Sequence, residues 1–257
     1  MDKRQQALTH WGINQLQQID AAANNSKVAG YMVDMVSGDA SFRRYFRATR
    51  DQQNNSSQAS WILVDAPPAT EDNQSFVSIA RWWQQYKVDV PLVYAVDYEQ
   101  GFMLLEDFGD QMFWPQVHKD TSDRPAISYW YQLAIDELQA LQQVPVTAPE
   151  LTLPLYDQAL LSSECELFRY WLCQQQLAMD LSDADQAMLD QVFHRLIDSA
   201  LAQPQVTVHR DYHSRNIMLR PQADSPVLGL IDFQDAVAGP YTYDLVSLVR
   251  DCYVRWP

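Results

Sequence analysis

The sequence predicts an α+β protein of two lobes, a β-rich N-terminal lobe and a helical C-terminal lobe. Three observations carry this. The first hundred or so residues hold short apolar runs separated by small polar turns. From residue 127 to 201, apolar residues recur at helical spacing. Strand and helix signals do not repeat as βαβ units, which argues against a doubly wound parallel sheet. The 257 residues suffice for one large domain or two small ones. With 47% hydrophobic and 20% charged residues the chain has the composition of a packed core. The expected division is 1–105 for the first lobe and 106–257 for the second, with a hinge near 104–108.

Residues 2–20 read as an amphipathic helix, with Leu8, Trp11, Leu16 and Ile19 near helical spacing. Tyr31–Val36 is a strand leading into the small-residue turn Ser37-Gly38-Asp39-Ala40-Ser41. Phe42–Thr49 is the next strand, and 51–60 a polar hairpin loop. Trp61–Val64 is a buried-type strand stopped by Ala66-Pro67-Pro68. Thr70 or Asp72 caps a helix running to about Lys87. Val90–Val96 and Gly101–Leu105 are two more strands. After Glu106 the pattern turns helical, over Ile127–Leu141, Asp157–Leu177 and Ala184–Leu201. Ser182 with Asp185 three residues on makes a cap for the last of these. Val206–Val208 and Val227–Ile231 are short strands, and a final helix is expected over Leu245–Val254 with Asp244 as its cap.

Charge narrows the function classes. The net charge is −15. Residues 1–60 carry seven Lys/Arg and five Asp/Glu, residues 61–200 six and twenty-two, and residues 201–257 five and six. The acidic bulk argues against nonspecific nucleic-acid or anionic-membrane binding, which needs a basic face. No apolar run approaches the roughly 20 residues that span a bilayer. The start lacks an apolar leader, and Cys165, Cys173 and Cys252 form neither a disulfide framework nor a metal spacing. The expected compartment is the cytoplasm, with no nucleic-acid or membrane partner; the oligomeric state is left open.

The chemistry lies in His209-Arg210-Asp211-Tyr212-His213-Ser214-Arg215-Asn216, followed by Ile231-Asp232-Phe233. A short strand, a polar loop, a second strand and an aspartate at its end suit phosphoryl transfer. That reaction needs a carboxylate for the acceptor hydroxyl, an oxygen ligand for Mg²⁺, and a second carboxylate for the metal that bridges the nucleotide phosphates. Asp211, Asn216 and Asp232 supply these in order, and hard oxygen donors suit Mg²⁺. His209 reads as a brace for the loop rather than a base. Arg210, His213 and Arg215 are candidates for the γ-phosphate or a substrate carboxylate, with a loop-bracing ion pair as the plain alternative.

These residues resemble the aminoglycoside phosphotransferase-like branch of the protein-kinase-like fold. The blocks SGDASFRRYFR, LVDAPP, FMLLEDFGD, VHRDYHSRNIM, LIDFQDA and GPYTYDLVSLVRDCY together are similar to the bacterial anomeric amino-sugar kinases. The resemblance implies ATP and Mg²⁺ as cofactors and a small amino-sugar substrate. The implied reaction is ATP-dependent phosphorylation of the anomeric hydroxyl of N-acetylmuramate or N-acetylglucosamine, in peptidoglycan recycling. It places Asp211 as base and Asn216 and Asp232 on the metal. Leu104–Asp107, including Leu105, Glu106 and Asp107, takes the adenine hinge. Ser37–Phe42, including Ser37, Gly38 and Ser41, takes the phosphate loop. Rival readings are a kinase for another small hydroxylated substrate, such as choline or an aminoglycoside, and a catalytically inactive nucleotide-binding module.

The chain departs from that pattern in three places. The phosphate loop has one glycine. The strand Trp61–Val64 offers no cation for the α- and β-phosphates. Arg43, Arg44 or Arg47 is expected to substitute; strand alternation separates Arg43 and Arg47 from Arg44 and leaves the face open. The C-terminal lobe is expected to be incomplete, since related kinases continue through further helices.

Overall fold

The computed structural model describes residues 2–22, 30–38, 42–50, 59–118, 123–149, 151–220 and 226–254. In chain order the elements are α1 (Lys3–Ala22), β1 (Tyr31–Gly38), β2 (Arg44–Arg50), β3 (Ser60–Asp65), α2 (Asn73–Gln85), β4 (Val93–Asp97) and β5 (Phe102–Glu106). They continue as α3 (Phe113–His118), α4 (Arg124–Gln142), β6 (Thr147–Ala148), β7 (Leu151–Thr152), α5 (Gln158–Leu167), a π-helical segment (Phe168–Gln176) and α6 (Asp183–Leu201). The last elements are β8 (Gln205–Val208), β9 (Ile217–Arg220), β10 (Val227–Leu230), β11 (Val237–Pro240) and α7 (Tyr243–Val249). The chain forms two compact units: Met1–Phe113 with Arg215–Gln234, and Trp114–Ser214 with Asp235–Pro257. The first unit thus runs past residue 105 and takes back a second stretch of chain beyond the polar loop.

The first unit is built on an antiparallel sheet in the order β1-β2-β3-β5-β4. Register fixes its faces. Arg44 pairs with Asp65, Phe46 with Leu63 and Ala48 with Trp61, while Phe102 and Leu104 sit opposite Asp65 and Leu63. These residues share one face. Leu8 and Leu16 of α1 pack there against Phe46, Ala48, Leu63, Phe102 and Leu104. Gly12 allows the close approach, since a Cβ there would lie 2.4 Å from the Leu63 side chain. α2 starts at its cap Asp72, which accepts from the Ser75 N–H, and buries Phe76, Val77, Ile79, Ala80 and Trp83. The hairpin of β9 and β10 pairs Ile217 with Leu230.

The second unit packs Tyr156, Leu161, Phe193, Ile197, Val208 and Val237 into one core. Ser182 and Asp185 form a reciprocal capping box on α6. The strand β8 pairs with β11, joining Val208 to Val237.

Several expectations are corrected. The helix expected over Asp157–Leu177 is α-helical only to Leu167, after which its bonds widen, as in Leu177 N–H to Leu172 C=O at 3.0 Å. The final helix is Tyr243–Val249, and Thr242 holds its cap position. Asp244 is not the cap, because its carboxylate is drawn inward by backbone donors described below. Strands β9 and β11 were not expected. The turn residues Asp39–Ser41 and most of the 51–60 loop lie outside the described residues.

Candidate active site

The loop His209–Ser214 follows β8 in the second unit, and buried carboxylates hold both of its ends. Asp244, fully buried in α7, accepts from the N–H of His209 at 2.7 Å and of Arg210 at 3.0 Å. Burial pushes the Asp244 carboxyl up to about 7 against the lowering effect of those two donors. Asp251, also buried, accepts from the N–H of Ser214 at 2.8 Å and of Tyr253 at 2.7 Å. Tyr212 is buried and donates its hydroxyl to the Ala134 carbonyl at 2.7 Å. The His213 N–H closes a tight turn on the Asp211 carbonyl at 2.9 Å. The loop backbone is thereby fixed before, at and after Asp211, whose side chain is exposed.

Arg210 adopts φ 76°, a left-handed conformation that a non-glycine residue holds only when its surroundings enforce it. Its guanidinium is 2.9 Å from Glu164 and lies over the Tyr156 ring, with 5.7 Å to the centroid. The Tyr156 and Tyr243 hydroxyls both donate to the same Glu164 carboxylate. The loop-bracing ion pair weighed in the sequence is therefore present for Arg210. The His209 ring is fully buried and edge-on to Tyr212 at 6.0 Å. His213 stands edge-on to Tyr253 at 5.2 Å, and Arg215 is exposed.

In the first unit, the β9/β10 register brings Asn216 and Asp232 to one end of the hairpin. The Ile231 N–H donates to the Asn216 carbonyl at 3.0 Å. The Asn216 amide nitrogen is 3.5 Å from Asp232 Oδ2, and Gln234 donates to Asp232 Oδ1 at 2.8 Å. Asp232 adopts φ 63°, a left-handed backbone conformation that a non-glycine residue holds only when its surroundings enforce it. Phe233 anchors the chain beside it. It is fully buried, stacks on Phe76 at 4.8 Å and packs on Trp83 at 5.5 Å.

The hinge candidates divide. Leu105 is spent in the sheet, opposite Ile62 and Val93. The Glu106 N–H is bonded to the Leu92 carbonyl at 2.9 Å, and its carboxylate accepts from Arg220 and the Leu92 N–H. Arg220 also holds Asp89 at 2.5 Å and covers the Phe108 ring at 4.3 Å. Asp107 is ion-paired with Arg47 at 2.6 Å and accepts from the Gly109 N–H at 2.8 Å. Burial opposes ionisation of Asp107, but Arg47 together with the Ser60 and Gly109 donors holds its pKa below the ordinary value. Arg47 also reaches Asp110 at 2.8 Å.

Of the phosphate-loop candidates, the backbone of Ser37 and Gly38 is paired with Tyr45 and Arg44, and Ser41 lies outside the described residues. Arg44 is 2.5 Å from the buried Asp65 and is also paired with Asp2; both carboxylates raise its pKa. Arg4 of α1 holds the other oxygen of Asp65 at 2.5 Å. Arg43 is 4% exposed, 3.1 Å from Glu71, with its guanidinium over the Phe76 ring.

Sequence reasoning missed Asp251, Glu164, Glu71 and Arg220. Asp251 had a signal, since it follows Asp244 by seven residues. The other three act across long sequence separations that no local pattern records. Among the described residues, no group of three or more His, Cys, Asp or Glu side chains could hold a metal ion.

An ordered polar loop, an Asn/Asp pair at a hairpin end and a five-stranded sheet preceding a helical unit are the parts of a kinase-like phosphotransferase. The model of the phosphotransferase enzyme family matches residues 34–257, and the chain belongs to that family. The chain is 41% identical over 256 residues to a Pseudomonas putida protein named N-acetylmuramate/N-acetylglucosamine kinase, a match covering all of this chain and 70% of that one. A protein of the same name from Pseudomonas aeruginosa is 38% identical, with the same shares covered. A solved aminoglycoside phosphotransferase with ADP bound resembles the fold with a TM-score of 0.55 at 15% identity, over 91% of this chain and 74% of that one. The protein-kinase-like α+β fold expected from the sequence is thus the fold of this chain. Among the described residues, no helix is long and apolar enough to cross a membrane.

Proposed function

We propose that the protein transfers the γ-phosphoryl group of ATP to the anomeric hydroxyl of N-acetylmuramate or N-acetylglucosamine, giving the sugar 1-phosphate. Such a product suits salvage of cell-wall amino sugars in peptidoglycan recycling. The observation that carries the chemistry is the pairing of Asn216 with Asp232 at the end of one hairpin, with Asp211 on a loop clamped by Asp244 and Asp251. The names of the Pseudomonas relatives support the choice of substrate.

The donor set fits Mg²⁺. Asp232 offers carboxylate oxygens, and a half-turn of the Asn216 amide presents its oxygen to the same side; both are hard ligands. Mg²⁺ held there would offset the charge of the nucleotide phosphates. Asp211 orients the C1 hydroxyl and takes up its proton late. The transition state of such transfers is largely dissociative, so positioning contributes more than base strength. That is consistent with a loop in which the N–H groups of His209, Arg210, His213 and Ser214 are all committed. Arg210, His213 and Arg215 are the candidates for the lactyl carboxylate of N-acetylmuramate, Arg210 with Glu164 as its existing partner.

A substrate panel tests this reading. With ATP and Mg²⁺, both amino sugars should be phosphorylated, whereas choline and kanamycin should not. Turnover of choline or kanamycin with both amino sugars inert would replace the reading with the kinase of another hydroxylated substrate.

A further inference from the structure

We propose that Arg43, oriented by Glu71, is the cation that holds the α- and β-phosphates of the nucleotide, and that Arg44 and Arg47 serve the sheet and the hinge. The assignment rests on the kinase reading above and names a residue of that same site.

The register of the sheet separates the three arginines. Arg44 lies opposite Asp65 on the face that α1 covers, closed in by Asp2, Asp65 and the neighbouring Arg4. Both of its carboxylate partners tie its guanidinium to the α1 side of the sheet. Arg43 and Arg47 alternate to the other face. Arg47 is drawn to the hinge end of the sheet, between Asp107 and Asp110. Arg43 is paired with Glu71, has the Asp72 carboxylate nearby, and lies against the aromatic column that leads to the candidate metal ligand. Its guanidinium is 5.7 Å from the Phe76 centroid, Phe76 stacks on Phe233 at 4.8 Å, and Phe233 follows Asp232 directly.

Three physical points follow. A guanidinium carries five N–H donors, so an ion pair with one carboxylate is compatible with a second anion. Glu71, 11% exposed, fixes the direction of a side chain that would otherwise lose rotamer freedom on binding. Third, β3 carries Asp65 on the α1 face and no cation on the other, so the β1–β2 turn supplies the charge that the third strand lacks.

The test is calorimetric titration of the full chain with adenosine and, separately, with ADP and Mg²⁺. Arg43→Ala should weaken ADP binding by about tenfold to a hundredfold, the worth of a charge-assisted hydrogen bond. It should leave adenosine affinity within about twofold. Arg43→Lys should recover part of the loss, and Glu71→Gln should show a smaller loss of the same kind. Arg44→Ala should change ADP affinity by less than about threefold. Unchanged ADP affinity in Arg43→Ala, or a larger loss in Arg44→Ala or Arg47→Ala, overturns the assignment while leaving the kinase reading in place. If Arg43→Ala also loses adenosine, Glu71→Gln decides: selective weakening of ADP supports the assignment, and wild-type affinity for both ligands overturns it. A wild-type chain that binds neither adenosine nor ADP removes the kinase reading and the assignment together.

Discussion

Asp244 is a carboxyl whose burial works against its charge, and that has a pH signature. Its pKa rises from 3.8 to about 7 in the folded protein. Between those values the folded state binds more protons than the unfolded one, so this group's contribution to stability is full at low pH and is lost as pH rises toward 7. The slope amounts to about 1.4 kcal/mol per pH unit at most. Urea unfolding of wild type and Asp244→Asn across pH 4.5 to 7.5 should show this component in the wild type only; parallel profiles would contradict it. Asp211 and Asp232 separate by role instead. Asp211→Asn should abolish turnover with ADP affinity retained, whereas Asp232→Asn should weaken Mg²⁺-dependent ADP binding as well. Near wild-type turnover in Asp211→Asn would remove it from the mechanism. The spacing of Asp211, Asn216 and Asp232 was legible in the sequence because one loop and one hairpin contain all three. The role of Asp244 was not, since its partners lie 34 and 35 residues away, and a cap is what an aspartate before a helix ordinarily suggests.

The first helix and the sheet meet at Gly12 and Leu63. Glycine inside a helix costs about 0.5–1 kcal/mol relative to alanine, so its presence in α1 needs a reason. A Cβ would lie 2.4 Å from Leu63 Cδ2, and Leu63 is fully buried, so its side chain would have to shift within a packed core. Gly12→Ala should therefore destabilise by about 1–3 kcal/mol despite the better helix propensity. Stabilisation on thermal or urea unfolding would show that α1 is not seated on β3 as described. The strands of this sheet were legible to within a few residues, because alternation and turn chemistry are local signals. The face met by α1 was not, because alternation defines two faces and only packing chooses between them. Strands β9 and β11 escaped notice for a related reason. They are four residues each; β11 contains Gly239-Pro240 and pairs with β8 across about thirty residues, and β9 follows the polar loop with too few residues to show alternation. The widening of the helix after Leu167 has no periodicity signal of its own.

The whole chain divides differently from the sequence reading. A cut at 105/106 follows the change from strand to helix patterns, but compactness assigns Arg215–Gln234 to the first unit. Asn216 and Asp232 therefore belong with the sheet, and Asp211 with the helical unit. No linear pattern shows a chain that returns to an earlier unit for twenty residues. The family, by contrast, was legible as a set of blocks spread over nearly the whole chain. The central claim is transfer to the anomeric oxygen. A hemiacetal hydroxyl is more acidic than an ordinary alcohol, which suits a carboxylate such as Asp211. The most direct measurement is ³¹P NMR of the products formed from ATP and Mg²⁺ with N-acetylmuramate, N-acetylglucosamine and the methyl glycoside of N-acetylglucosamine. The account predicts phosphate coupled to the C1 hydrogen of the two free sugars and no product from the glycoside, whose C1 oxygen is blocked. Phosphate on the C6 oxygen, or turnover of the methyl glycoside, would contradict it.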